Sequence, residues 1–319
     1  MVAISLQIEG QIDLTWPRWK RLVAEVEELG LAGLFRSDHY TNAEPPDKDS
    51  LEMIVSLAYL VDHTQRIHFG PLVAPLSVRH PSILVRQAAA LDDLSGGRMI
   101  LGVGAGWQER EHRLFGHELG DVSKRMARLE EGLEVITRLL RSDEPVTYEG
   151  RFFQLRGATL LPRPQRPGGP RILIGGNGVK RTLPLVARYA DIWNAVFLSP
   201  AAFREHSTAL DVLLQAAGRK AGDVRRTLMN ELFFGRDMDE LDRRLAWRHE
   251  DPEVAGKSLE EAMDFMRDSW YSIAGTPDMI VQQIKAYAEA GVEELMLQWF
   301  DLDDIDGLRA FAASVLPQL

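Results

Sequence analysis

Cysteine is absent from all 319 residues, which removes disulfides, thiolate zinc sites, iron–sulfur clusters and cysteine nucleophiles together. Basic residues are outnumbered: 37 Lys and Arg stand against 47 Asp and Glu, giving a net charge of -10 and a pI near 5.4. That balance disfavours a nucleic-acid backbone as partner, although local basic clusters can still hold a small anion. No apolar run reaches the ~20 residues that a bilayer span needs. The opening stretch MVAISLQIEGQID has no Lys or Arg and soon turns acidic, so neither a signal peptide nor a membrane partner is expected. A cytoplasmic protein acting on a small molecule is the expectation that these absences leave.

What is present is alternation. With 45% hydrophobic residues the chain can fill a large core, and short apolar runs alternate with amphipathic stretches in the manner of repeated βα units. Eight candidate strands cover 2–8, 32–36, 67–74, 98–104, 171–175, 191–196, 227–234 and 294–299. The helices between them carry punctuation. Pro81 opens a segment with Leu84, Ala88 and Leu91 on one face, closed by Gly96–Gly97. Thr276 and Pro277 open another that ends before Gly291, and residues 125–141 repeat Met126, Leu129, Leu133, Ile136 and Leu140 at helical spacing. Eight strands alternating with helices predict a (β/α)8 TIM barrel forming one domain over 1–319. Two stretches interrupt it: a hairpin with a proline-rich connector at about 144–170, and a charged helical insertion at about 235–275 that would emerge on the catalytic face.

An open dinucleotide-binding sheet is disfavoured by the motifs. Neither GVGAGW nor GGNGVK completes G-x-G-x-x-G, because Trp107 and Arg181 fill the third glycine position. Four stretches could carry chemistry instead. In GLFRSDHYTN a buried strand runs straight into Arg36, Ser37, Asp38, His39 and Tyr40. His39 would look into the barrel mouth, where an imidazole can shuttle a proton, though it could equally satisfy a loop end and Asp38 a helix start. In ILIGGNGVKRT a strand ends in Gly175, Gly176, Asn177 and Gly178 before a helix, an arrangement that suits a phosphate, with Lys180 and Arg181 adding charge. In GVGAGWQERE the glycines at 102, 104 and 106 leave room for a flat group, while Glu109 and Glu111 read as acids favoured by a helix start. In HFGPLVAPLSVRHP, Pro71 and Pro75 demand bulges or breaks in the strand ladder, and such an irregular strand end is also where a ligand plane can rest. His112 and His117 have no metal-ligand spacing.

Taken in order, SDHY, PLSVRHP, LDDLSGGRMILGVGAGWQEREHRLFG and ILIGGNGVKRTLPLVARYADIWN make the whole chain resemble the luciferase-like monooxygenase superfamily, and within it the coenzyme F420-dependent oxidoreductases. The resemblance implies a barrel that binds coenzyme F420, or alternatively FMN. It implies that His39 is the histidine near the redox centre and catalytic, with Asp38 its acidic neighbour. Leu72 and Val73 match a non-prolyl cis peptide that backs the cofactor ring. Gly175, Gly176, Asn177 and Gly178 match the phosphate-binding turn. Gly104, Ala105, Gly106 and Trp193 complete the expected cofactor contacts, with Trp107 and Trp193 both near the mouth. The glucose-6-phosphate dehydrogenases of this superfamily carry a catalytic glutamate where Ala105 stands here. A homodimer is the expected assembly. The competing functions are an FMN-dependent monooxygenase using oxygen and a non-catalytic cofactor-binding protein.

Overall fold

The computed structural model describes residues 2–319, except the side chains of residues 249 and 250. In chain order the first half runs β1 (Ala3–Ile8), α1 (Trp16–Glu28), β2 (Gly33–Arg36), α2 (Met53–His63), β3 (His68–Pro71), β4 (Ala74–Pro75), α3 (Pro81–Leu94), β5 (Ile100–Gly104), α4 (Glu109–Leu114) and α5 (Val122–Arg141). A hairpin of β6 (Val146–Glu149) and β7 (Gln154–Ala158) follows, then β8 (Arg171–Gly175), α6 (Thr182–Tyr189), β9 (Ile192–Val196) and α7 (Pro200–Ala216). The chain ends with β10 (Arg225–Phe234), α8 (Met238–Leu245), α9 (Leu259–Ser269), β11 (Ile273–Gly275), α10 (Pro277–Glu289), β12 (Glu294–Gln298) and α11 (Ile305–Val315).

The parallel sheet has the order β3-β2-β1-β12-β10-β9-β8-β5-β4, with β11 attached to β10. Its two ends are consecutive pieces of chain, so the path curls into a TIM-barrel-like, nearly closed cylinder. The strand expected over 67–74 is broken. β3 pairs with β2 and β4 with β5, and the switch falls at a cis Leu72–Val73 peptide between Pro71 and Pro75. Prolines lack the N–H that an unbroken ladder would use, so the change of partner falls where the ladder is already interrupted.

Alternation along the strands sorts the side chains. Leu34, Leu101, Ile174, Trp193 and Leu297 join the large core between sheet and helices, whereas Phe35, Leu72, Ile100, Leu173, Ile192 and Met296 cluster in the barrel interior. The insertion builds a third cluster around Phe233, with Leu241, Leu245, Met263 and Met266. Helix starts follow the expected rules: Asp121 and Ser258 cap α5 and α9 through their side chains, and Pro81 and Pro277 sit just inside α3 and α10. No described helix is long and apolar enough to cross a membrane.

Candidate active site

Val73 and Met229 are the partly exposed members of the interior cluster, so they form the floor of the mouth. The strand glycines explain how Val73 gets there. A Cβ on Gly104 would lie 2.6 Å from Val73 Cγ2, one on Gly175 would lie 3.3 Å from Cγ1, and one on Gly102 would run into the Pro71 carbonyl. The room expected beside Gly102 and Gly104 is therefore filled by the chain's own cis segment, because the link between β3 and β4 packs against β5. Gly106 has φ +79°, a backbone that favours glycine, and a Cβ there would strike Ser77. Ala105 is partly buried against the outer core.

His39 follows β2 at the mouth. Its Nδ1 lies 3.0 Å from Glu111 Oε1, and the other oxygen of Glu111 accepts the Tyr40 backbone N–H at 3.0 Å. Trp107 meets the imidazole edge-on with ring centroids 5.3 Å apart. Glu111 is only 2% exposed, so this carboxylate is committed to the His39 loop. Burial alone would lower the His39 pKa, but the hydrogen bond and charge of Glu111 outweigh it and hold the imidazole above its ordinary value. With Nδ1 engaged as donor, Nε2 is the nitrogen left to exchange a proton with a ligand.

Glu111 was hidden in the sequence among acids that a helix start attracts anyway. A finer signal was available: Gln108, Glu111 and His112 share one face at i, i+3, i+4 spacing, and all three are buried. Glu109 is exposed. His112 is held on both nitrogens, by the Gln108 carbonyl and the Ser77 hydroxyl, each at 2.7 Å. It is a structural residue.

Asp38, expected as a cofactor contact, is engaged elsewhere. Both its oxygens bind Arg79, at 2.6 Å each, and Arg79 also reaches Glu52 at 2.9 Å. Burial pushes the Asp38 carboxyl up while the guanidinium pulls it back. The pair ties the His39 loop to the turn after β4, for which the sequence offered only two separate motifs.

The glycine turn after β8 is open. Gly176 has φ +124°, and its N–H is taken by the Asn194 carbonyl. Arg181, Thr182 and Leu183 all donate to the Gly178 carbonyl. The N–H groups of Asn177, Gly178, Val179 and Lys180 have no acceptor among the described residues, and they sit together on a half-exposed to exposed turn. Four consecutive free amides before a helix form a concavity for an anion. Asn177 fixes the turn by exchanging hydrogen bonds of 2.7 and 2.9 Å with the backbone of Val196.

Trp193 corrects an expectation. It is fully buried against α7, stacked on Phe203 with centroids 5.3 Å apart, and does not line the mouth. Inward and outward positions alternate along β9, and Trp193 falls on the outward set. Its Nε1 donates to the Gly176 carbonyl at 2.9 Å, so it braces the turn from behind. Trp107, by contrast, is 62% exposed beside His39.

The residues present fit a phosphate-bearing ring cofactor: free amides lie at the end of β8, an apolar floor at Val73 and a proton-bearing imidazole at the end of β2. Comparisons with known proteins point the same way. A sequence profile described as luciferase-like monooxygenase matches residues 5–294. An F420-dependent glucose-6-phosphate dehydrogenase of Amycolatopsis mediterranei (strain U-32) is 28% identical over 313 residues, covering 92% of this chain and 91% of the relative. A 4-hydroxyprotoasukamycin monooxygenase of Streptomyces nodosus subsp. asukaensis is 30% identical over 268 residues, covering 81% of this chain and 67% of the relative. The fold is that of a solved F420-dependent secondary alcohol dehydrogenase in complex with an F420-acetone adduct, with a TM-score of 0.83, 19% identity, and coverage of 99% and 98% of the two chains.

Proposed function

The chain belongs to the luciferase-like monooxygenase family, and from that premise we propose that it is a coenzyme F420-dependent oxidoreductase moving a hydride between the deazaflavin and a small organic substrate. The observation that carries this reading is the meeting, at one barrel end, of four free amides at 177–180 with a histidine held by a buried glutamate. When bound, the deazaflavin supplies or accepts the hydride. The amides at 177–180 hold the phosphate, with Gly175, Gly176 and Asn177 shaping the turn. Leu72 and Val73 support the ring, with Gly104 leaving the space that Val73 fills. Asp38 acts at one remove, through Arg79, by holding the loop that carries His39. His39 balances charge by giving or taking a proton through Nε2, and Glu111 keeps the ring in the orientation that frees that nitrogen.

The direct test is equilibrium binding of coenzyme F420 and of FMN, followed by quenching of Trp107. Tight binding of F420 with hydride turnover supports the reading. Turnover only with reduced FMN and oxygen would establish the monooxygenase alternative, and F420 binding without any turnover would leave a carrier. A cytoplasmic homodimer remains part of the reading, supported by the lack of cysteine and by the exposed apolar residues Leu114, Phe115 and Val122. Light scattering that finds a monomer would remove the dimer.

Two further outcomes are expected. Lys180 and Arg181 are exposed and form no ion pair among those described, so Lys180→Ala/Arg181→Ala should leave the melting temperature unchanged. It should weaken F420 binding about tenfold and flatten its salt dependence. Unchanged affinity would put the phosphate elsewhere. This pair is a cleaner probe than Gly176, where φ +124° would strain any side chain regardless of ligand.

Glu111→Gln tests the histidine's charge. Because the folded His39 pKa lies above its ordinary 6.5, the imidazolium–carboxylate pair stabilises the fold fully below that value. That contribution is lost as pH rises through the folded pKa. Denaturation of the wild type should therefore show stability falling above pH 6.5, and the slope should vanish in Glu111→Gln. A slope retained in the variant would assign it to another group.

A further inference from the structure

A cavity of about 510 Å³ opens between the ends of β10 and β12 and the loops after β1 and β2. Neither His39 nor the glycine turn lines it, but Asn42, three residues beyond His39, does. It opens at the same barrel end as His39, and its size suits a small organic ligand. We infer that this room is the substrate subsite and that it takes an uncharged, ring-bearing carbonyl compound. The inference rests on the hydride-transfer reading above.

Three observations select that chemistry. The first is aromatic lining. Phe233 and Phe300 are stacked with centroids 5.8 Å apart, and Trp247 lies across both at 6.3 and 5.7 Å. Trp247 is 46% exposed, a large apolar ring presented rather than buried. Such faces gain most from covering another ring.

The second is the state of the cations. Arg244 on the wall is answered by Glu240 at 2.9 Å and Asp304 at 3.1 Å. Behind the aromatic wall, Arg248 lies 4.3 Å from the Trp247 ring centroid, 5.0 Å from Trp270, 5.3 Å from Phe233 and 5.4 Å from Phe300. Its charge is met by Glu231 at 2.6 Å. Arg248 thus organises the rings from within, and its cation is not free for a ligand.

The third is the balance of charge around the room. Lys48 and Arg244 face Asp301 and Asp304, two of each sign, and among the described ion pairs Arg244 and Asp304 are engaged while the exposed Lys48 and Asp301 are not. A phosphate placed there would meet two acids and one solvated lysine. That does not repay its desolvation, whereas an uncharged ring incurs no such cost.

In the reducing direction the carbonyl carbon gains a hydride from reduced F420, forming the C–H bond. The C=O π pair moves to oxygen, which takes a proton from His39 to form the O–H bond. The substrate becomes an alcohol, the cofactor is oxidised by two electrons, and solvent returns the proton to His39.

The test is calorimetric titration of cofactor-free protein with 2-tetralone, a neutral bicyclic ketone, and separately with glucose 6-phosphate. F420 affinity is measured in parallel on wild type, Trp247→Ala, Trp247→Phe and Phe300→Ala. Tetralone should bind wild type and glucose 6-phosphate should not. Trp247→Ala and Phe300→Ala should weaken tetralone about tenfold, Trp247→Phe should restore most of the loss, and F420 affinity should hold in all four. Tighter binding of the sugar phosphate, or tetralone affinity indifferent to Trp247, would overturn the inference while F420 still binds. Failure of wild type to bind F420 would instead overturn the parent reading.

Discussion

His39→Ala is expected to slow hydride transfer by roughly 10²–10⁴-fold, the usual scale for loss of a general acid or base, while F420 still binds with near-normal affinity. The separation follows from where the groups sit. His39 comes from the end of β2, whereas the free amides at 177–180 lie between β8 and α6. Removing the imidazole leaves the phosphate turn, its Asn177 brace and the Trp193 support in place. The measurement is single-turnover oxidation of bound reduced F420 against equilibrium binding in wild type and variant. Equal rates would make His39 a structural residue and send the proton through another group. A parallel loss of affinity and rate would instead make the histidine a cofactor contact first.

Arg79→Met should destabilise the fold by ~3–5 kcal/mol, the cost of stranding one member of a buried ion pair. Asp38 is 4% exposed, and both its oxygens depend on Arg79. Without the guanidinium, burial dominates and the carboxyl takes up a proton as the fold's cheaper solution. The variant should therefore lose less stability at acidic pH than at neutral pH. The double variant Asp38→Asn/Arg79→Met should recover much of the loss, since the carboxylate is then no longer buried without its partner. Urea denaturation of the single and double variants decides the matter. A single variant within about 1 kcal/mol of wild type would mean that the pair behaves as a surface contact.

The barrel was legible because its determinants are local and periodic. Apolar runs bounded by turn residues located the strands, and Pro81, Gly96 and Gly291 marked helix ends that the structure retains. The hairpin turn at 149–150 could also be read, since β6 ends at Glu149 and Gly150 donates to Phe153. One strand was legible only in part: Pro71 and Pro75 announced its interruption but not its partners. The stretch 67–74 has an apolar pattern that suits one strand, but its two halves pair with different neighbours, and pairing partners are not written in local pattern.

The candidate site divides along the same line. The residue types needed for a proton shuttle and a phosphate turn were visible as His39 and as Gly175, Gly176, Asn177 and Gly178, because glycine and histidine carry their chemistry with them. What no single stretch contains is which side chain faces which. Glu111 stands 72 positions from His39, and Arg79 stands 41 from Asp38. The outward turn of Trp193 was set by the phase of β9, and the space beside Gly104 was taken by Val73 from the link between β3 and β4. Sequence alone determined the alternating architecture and the inventory of reactive groups, since propensity, turn chemistry and periodicity act over a few residues. Tertiary structure decided which of those groups are free and which are engaged. A buried charge must find its partner wherever in the chain the fold brings one within reach.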